Sequence, residues 1–190
     1  HTIGRRQRQM CIRDRLENYA DEKNADIVIL RPGVIYGPNM QCWLADLVED
    51  VKHGRLGRLA HGAQAIPLVH IENLVEIFLT ILASKERLGL RTYICVDEGS
   101  PSLDDVITHI AGLYGVTIAS RKWSMIEARL RGFVGGILAK RDGRATVITK
   151  SRMKLISTSQ RFDGSLVRQE LSGLSPLSWS EGINQICSRN

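Results

Sequence analysis

Four cysteines in 190 residues, Cys11, Cys42, Cys95 and Cys187, are too few and too scattered to form a framework. None has a partner at ligand-pair spacing, which argues against both a disulfide scaffold and a zinc site. A reducing cytoplasm is therefore the default compartment. No apolar run is long enough to span a bilayer. Neither Gly-x-Gly-x-x-Gly nor Gly-x-x-Gly-x-x-Gly occurs among the 17 glycines, so these residues encode no cradle for a dinucleotide pyrophosphate. Internal repeats and low-complexity linkers are also missing.

What remains suits one ordinary domain with a small second lobe. The hydrophobic fraction of 43% is that of a globular chain. A net charge of +6 would ordinarily raise nucleic acid as a partner. Its location argues otherwise. His1 to Arg15 holds Arg5, Arg6, Arg8, Arg13 and Arg15 against Asp14 alone, a net of +4, which leaves 6 − 4 = +2 for the other 175 residues. No basic patch on the folded body is indicated, and no nucleic-acid partner is expected. Residues 1–15 have neither helical nor strand periodicity and lack the apolar core of a signal peptide. The stretch Arg6-Gln-Arg-Gln-Met-Cys-Ile-Arg-Asp-Arg15 resembles a translated sequencing-adapter junction. It is read as a non-native segment, expected to be disordered or arbitrarily placed, with the true N-terminal half lying upstream.

The chain is organised around Ala25-Asp-Ile-Val-Ile-Leu-Arg-Pro-Gly-Val-Ile-Tyr-Gly-Pro38. Ile27 to Leu30 is a continuous apolar run, the pattern of a strand buried on both faces of a parallel sheet. Pro32 cannot donate to a ladder and Gly33 is permissive, so regular pairing should weaken there. A strand opening into a Pro/Gly loop at its C-terminal end is where open α/β sheets place ligands.

Downstream, Trp43, Leu44, Leu47, Val48 and Val51 have the spacing of an amphipathic helix within 39–52. His53 to Gly62 is a glycine-punctuated loop outside any phosphate-binding context. Ile66 to Ile71 reads as a strand and Glu72 to Ala83 as a helix, with Leu74, Ile77, Phe78, Ile81 and Leu82 on its buried side. Arg91 to Asp97 is the next strand. Ser102-Leu-Asp-Asp105 has capping-box spacing for a helix ending at Gly115. Val116 to Ala119 and Ala145 to Thr149 read as short strands. Trp123 to Leu138 is an apolar, glycine-broken helix of the substrate lobe, its sharper alternative being a membrane-surface or dimer helix. Short helices follow at Ser165 to Leu171 and from Ser178 through Ile186.

Three segments carry a resemblance. Leu30-Arg-Pro-Gly-Val-Ile-Tyr-Gly-Pro38 resembles the strand-and-loop signature of the extended short-chain dehydrogenase/reductases, the NAD-dependent epimerases and dehydratases. Ile66-Pro-Leu-Val-His-Ile-Glu-Asn-Leu-Val-Glu-Ile-Phe78 and Thr92-Tyr-Ile-Cys-Val-Asp97 are similar to later segments of that family, in order. Phe162 to Leu171, with Pro176 and Glu181-Gly182-Ile183, is similar to its C-terminal ending. The resemblance covers Leu16 to Ile186 and only the later half of a family member.

The resemblance implies an α/β chain: an incomplete NAD(P)-binding Rossmann-like fold with the later strands of its parallel sheet, plus a small α/β substrate-binding lobe. Residues 16–37 would end the Rossmann half, and 38–190 would form the substrate lobe, with 66–97 returning to the sheet. It also implies an enzyme using NAD or NADP in hydride transfer on a sugar nucleotide or a hydroxy or keto substrate. Pro32, Gly33, Val34 and Ile35 would border the cofactor, and Tyr36, Trp43 and His70 the substrate. No catalytic residue is assigned: the family's Tyr-x-x-x-Lys pair is expected upstream. Tyr19 and Lys23 have that spacing but lie at the far end of the helix, directly before the strand. These 190 residues alone would then be inactive. Two departures are informative. Ile66 stands where sugar-nucleotide epimerases commonly place an Arg for the diphosphate, and Asn73 replaces the usual acid. A non-catalytic dinucleotide sensor or scaffold of the same fold is the alternative. A homodimer of the intact protein is compatible with both.

Overall fold

The computed structural model describes residues 2–40, 43–56, 65–118 and 161–188. In chain order these form α1 (Thr2–Lys23), β1 (Ile27–Pro32), β2 (Val34–Tyr36), α2 (Trp43–Lys52), β3 (Leu68–His70), α3 (Ile71–Ala83), β4 (Leu90–Cys95) and α4 (Leu103–Tyr114). Two further helices, α5 (Ser165–Glu170) and α6 (Trp179–Ser188), follow. The expected strand at 145–149 and the apolar helix at 123–138 lie outside the described residues. Residues 116–118 are not a strand, contrary to expectation: the chain leaves α4 at Gly115 (φ 64°) and pairs with no strand there among the described residues.

Among the described residues the paired strands are parallel. β1 pairs with β4 from Ile27↔Leu90 to Pro32↔Cys95, and β2 pairs with β3 from Val34↔Leu68 to Tyr36↔His70. The chain changes partner at Gly33. There Gly33 N–H donates to Cys95 O (3.0 Å), while Val34 N–H donates to Pro67 O (2.6 Å) and Asp97 N–H to Leu68 O (2.7 Å). Pro32 costs the ladder nothing. The N–H groups of Ile27 and Gly33 point at the β4 side, so by alternation those of Val28 and Leu30 point at the opposite edge, and so would that of residue 32.

Two apolar clusters flank this crossing. One gathers α2 (Leu44, Leu47, Val48, Val51), α4 (Leu103, Val106, Ile107, Ile110) and α6 (Ile183, Ile186) around Tyr36 and Leu68. The other joins Val69, Leu74, Ile77, Tyr93, Cys95, Val167 and Leu171, with Val28 and Leu30 against it. The α4 cap follows the predicted chemistry. The Ser102 hydroxyl accepts from Asp105 N–H (3.1 Å) and the Asp105 carboxylate accepts from Ser102 N–H (2.9 Å). Ser178 and Glu181 repeat the arrangement at α6.

Three further expectations change. Ile27 to Leu30 form a strand but are half-buried, because among the described residues β1 has a neighbour on one edge alone. Phe78 and Leu82 of α3, expected in the core, are 50% and 78% exposed. The helix is apolar around most of its circumference, and only its Leu74–Ile77 side meets the strands. Residues 2–15, expected to be disordered or arbitrarily placed, continue α1 as helix, with Cys11, Ile12, Asp14 and Arg15 exposed.

Candidate functional site at the strand crossing

The crossing is held by one carboxylate. Asp97, buried just beyond β4, accepts from the Tyr36 hydroxyl (2.8 Å), from the Asn73 amide (2.8 Å) and from the backbone N–H of His70 (3.1 Å). Asn73 also donates to Leu177 O (2.9 Å) and accepts from Leu177 N–H (2.8 Å), tying in the loop before α6. His70 caps α3, its Nδ1 accepting from Glu72 N–H (3.3 Å), and its ring meets Tyr36 edge-on at 5.1 Å. The His70 Nε2 is buried without a hydrogen-bond partner.

Burial sets the protonation states. It pushes the Tyr36 hydroxyl far above the ordinary tyrosine range, with the Asp97 charge acting in the same direction. Burial also lowers the His70 imidazole, against the opposing pull of Glu72 and Asp97. Tyr36 is thus a donor, His70 is neutral, and the Asp97 carboxylate already faces three donors. Such a cluster positions backbone; it has no exposed acid or base.

Each expected site residue has a definite place. Pro32 and Ile35 are exposed at the C-terminal end of the β1–β4 pair, and Val34 is partly covered. Gly33 is required by the fold itself: a Cβ there would lie 2.2 Å from Pro67 O and 3.1 Å from Val96 Cγ1. The space a side chain would take there is filled by this protein's own backbone. Tyr36 and His70, expected to border substrate, are 1% and 0% exposed, with both held in the Asp97 cluster. Trp43 packs partly against the α2–α4 core. Pro32 to Ile35 therefore come together at the crossing, with Tyr36 and His70 beneath them, while Trp43 belongs to another surface. Tyr19 is 54% exposed on the last turns of α1, and Lys23 is exposed beside it. Among the described residues no group of His, Cys, Asp and Glu could hold a metal ion.

Sequence reasoning missed Asp97 and Leu177. The amide at position 73 was the available signal: an Asn where an acid is usual implies that the cluster draws its charge from elsewhere. Nothing in the sequence locates Leu177, whose role is carried by its backbone.

Residues 8–94 match the pattern of the NAD dependent epimerase/dehydratase family. A curated relative, the N-acetyl-alpha-D-glucosaminyl-diphospho-ditrans,octacis-undecaprenol 4-epimerase of Escherichia coli O157:H7, is 22% identical over 160 residues. That alignment takes in 84% of this chain and 47% of the relative. The UDP-glucuronic acid 4-epimerase of Bacillus cereus, solved with UDP-glucuronic acid and NAD, superposes with a TM-score of 0.62 at 18% identity, over 92% of this chain and 48% of its own. MoeE5, solved with UDP-glucuronic acid and NAD, gives 0.60 at 15% identity, over 92% and 51%. The chain spans about half the length of the proteins it matches. At these identities the solved structures establish the Rossmann-like α/β fold.

Proposed function

We propose, from the match of residues 8–94 to the NAD dependent epimerase/dehydratase family, that the protein to which they belong is an NAD(P)-dependent enzyme of the epimerase, dehydratase or reductase type. Its substrate is a small hydroxy- or keto-bearing molecule, sugar nucleotides included. The observation that carries this reading is the family match across the crossing, with the Pro32–Ile35 loop at the C-terminal ends of parallel strands.

The residues present fit one part of a dinucleotide. Pro32 and Ile35 offer an exposed apolar edge suited to a flat ring, whereas none of Pro32 to Ile35 has a side-chain donor for the pyrophosphate. When bound, the dinucleotide supplies the hydride acceptor and donor. The chain's own contribution is to hold the strand ends: Asp97 fixes β2, β3 and α3 in register, and Tyr36 and His70 form a dry floor beneath the loop. Ile66 is 7% exposed in the α2–α4 core and presents no cation to a diphosphate. Substrates without that group fit this position best.

Calorimetry with NAD and NADP tests the reading. The 190-residue chain should bind either dinucleotide feebly, since phosphate contacts at a glycine-rich helix N-terminus are not among its residues. A protein extended upstream by such a unit should bind tightly and turn over a hydroxy or keto substrate. Tight binding without turnover would favour a sensor, and tight binding by the 190 residues alone would place the cofactor elsewhere.

A further inference from the structure

The last helix meets the crossing through a residue that has no side chain. Gly182 lies in the first turns of α6 and is buried with Ile183 and Ile186. A Cβ there would lie 2.5 Å from the Tyr36 hydroxyl oxygen, 2.9 Å from His70 Cδ2 and 3.0 Å from Tyr36 Cε2. After proline, glycine is the poorest helix former, and the helical backbone of α6 makes no demand for it. Packing supplies the reason: alanine would favour the helix but has no room against Tyr36.

Neither side of that contact is free to yield. The Tyr36 ring is buried and its hydroxyl donates to Asp97 (2.8 Å), with Trp179 O of α6 at 3.4 Å. The helix is fixed in turn. Gly182 N–H donates to Ser178 O (3.0 Å), Ser178 N–H donates to the Glu181 carboxylate (2.8 Å), and Ile183 and Ile186 sit in the α2–α4 cluster. β2 is three residues long, so its ladder with β3 is short. Its start is set where Gly33 meets Pro67, and its end where Tyr36 meets Gly182. Between these two points Ile35 faces the opposite side from Tyr36 and is exposed.

We propose that Gly182 is a positioning residue for the Pro32–Ile35 loop. Acting through Tyr36, it lets α6 hold β2 at the depth that presents Pro32 and Ile35 to a flat ring. That the ring belongs to a dinucleotide rests on the functional reading above; the hold of α6 on β2 does not.

The 190-residue chain tests the hold by NMR. In Gly182→Ala the Ile35 amide resonance should move. The Val34 and Tyr36 amides, which face β3 by alternation, should exchange at least about tenfold faster. Ile186→Val, one turn further along α6, should leave all three unchanged. Adding Tyr36→Phe removes the hydroxyl that a Cβ would strike and frees the ring from Asp97. Exchange in Gly182→Ala/Tyr36→Phe should then match Tyr36→Phe alone within about threefold. Unmoved amides in Gly182→Ala, or no rescue by Tyr36→Phe, overturns the proposal. If Gly182→Ala does not fold, the double variant should, and its failure to fold overturns the proposal too. The second test uses the protein extended upstream by a glycine-rich unit. There Gly182→Ala should weaken NAD binding about tenfold in calorimetry, and Tyr36→Phe should restore it as it restores the amides. Displaced amides with unchanged NAD affinity overturn the positioning role. Absence of NAD binding by the unsubstituted extended protein would remove the functional reading, and the amides alone would then decide whether α6 holds β2.

Discussion

Asp97 is the residue on which the crossing depends, and its neighbours are matched to a single negative charge. Asn73 satisfies Asp97 with its amide N–H and Leu177 with both ends of the same group. Asn73→Asp would set two carboxylates face to face in a buried site and lose the donor to Leu177 O. The expected cost is about 3 kcal/mol at neutral pH. It should shrink in mild acid, where one carboxyl can protonate and donate again. Urea denaturation at two pH values measures it, and equal stability of the variant at neutral pH would contradict this account. His70 adds a second pH effect. Its folded pKa is lowered below 6.5, so the unfolded chain binds the extra proton. Stability tied to neutral His70 is complete above 6.5 and is lost as the pH falls through the folded value. Glu72, Asp97 and the Tyr36 hydroxyl are the ionisable groups facing it. His70→Asn should keep the α3 cap while flattening the pH slope below 6.5, and an unchanged slope would assign the effect to another group.

At the scale of elements, two glycines of different standing separate packing from propensity. Gly33→Ala drives a Cβ into the Pro67 carbonyl and should cost about 2–3 kcal/mol. Gly112→Ala, on the exposed face of α4 with nothing within 4 Å, should instead stabilise by about 0.5–1 kcal/mol. Thermal unfolding of both resolves the pair, and similar shifts would mean that the β1–β2 turn is looser than described. The elements themselves were largely legible. The 3.6-residue spacing located α2 and α4, and the Ser102/Asp105 and Ser178/Glu181 patterns marked the starts of α4 and α6. Sidedness was less so. Continuous apolar strings such as Ile27–Leu30 and Ile77–Leu79 say that a segment avoids water without saying which neighbour covers it. That is why β1 was expected to be more enclosed and α3 deeper than they are. The site was legible as a location, because Pro32-Gly33 interrupts a strand visibly. Its contents were not, since the partners of Tyr36 lie 61 and 143 positions away in the sequence.

For the molecule as a whole, four of the six units of net positive charge lie in the first 15 residues, and α1 contributes Ala20 alone to the core among its described side chains. Removing residues 1–15 should therefore leave the unfolding transition within about 0.5 kcal/mol of the full chain. Loss of cooperative unfolding on truncation would make that segment part of the fold. The crossing at Gly33 also bears on how such a protein can change by recombination. Residue 33 is small because the carbonyl of residue 67 fills its space, and the carboxylate at 97 is held by groups from residues 36, 70 and 73. These positions span most of the first hundred residues yet form one contact. A crossover between divergent relatives that falls anywhere from 34 to 96 would unite halves of the crossing fitted to different partners, whereas one before β1 would leave it whole. The crossing should therefore be inherited as a block.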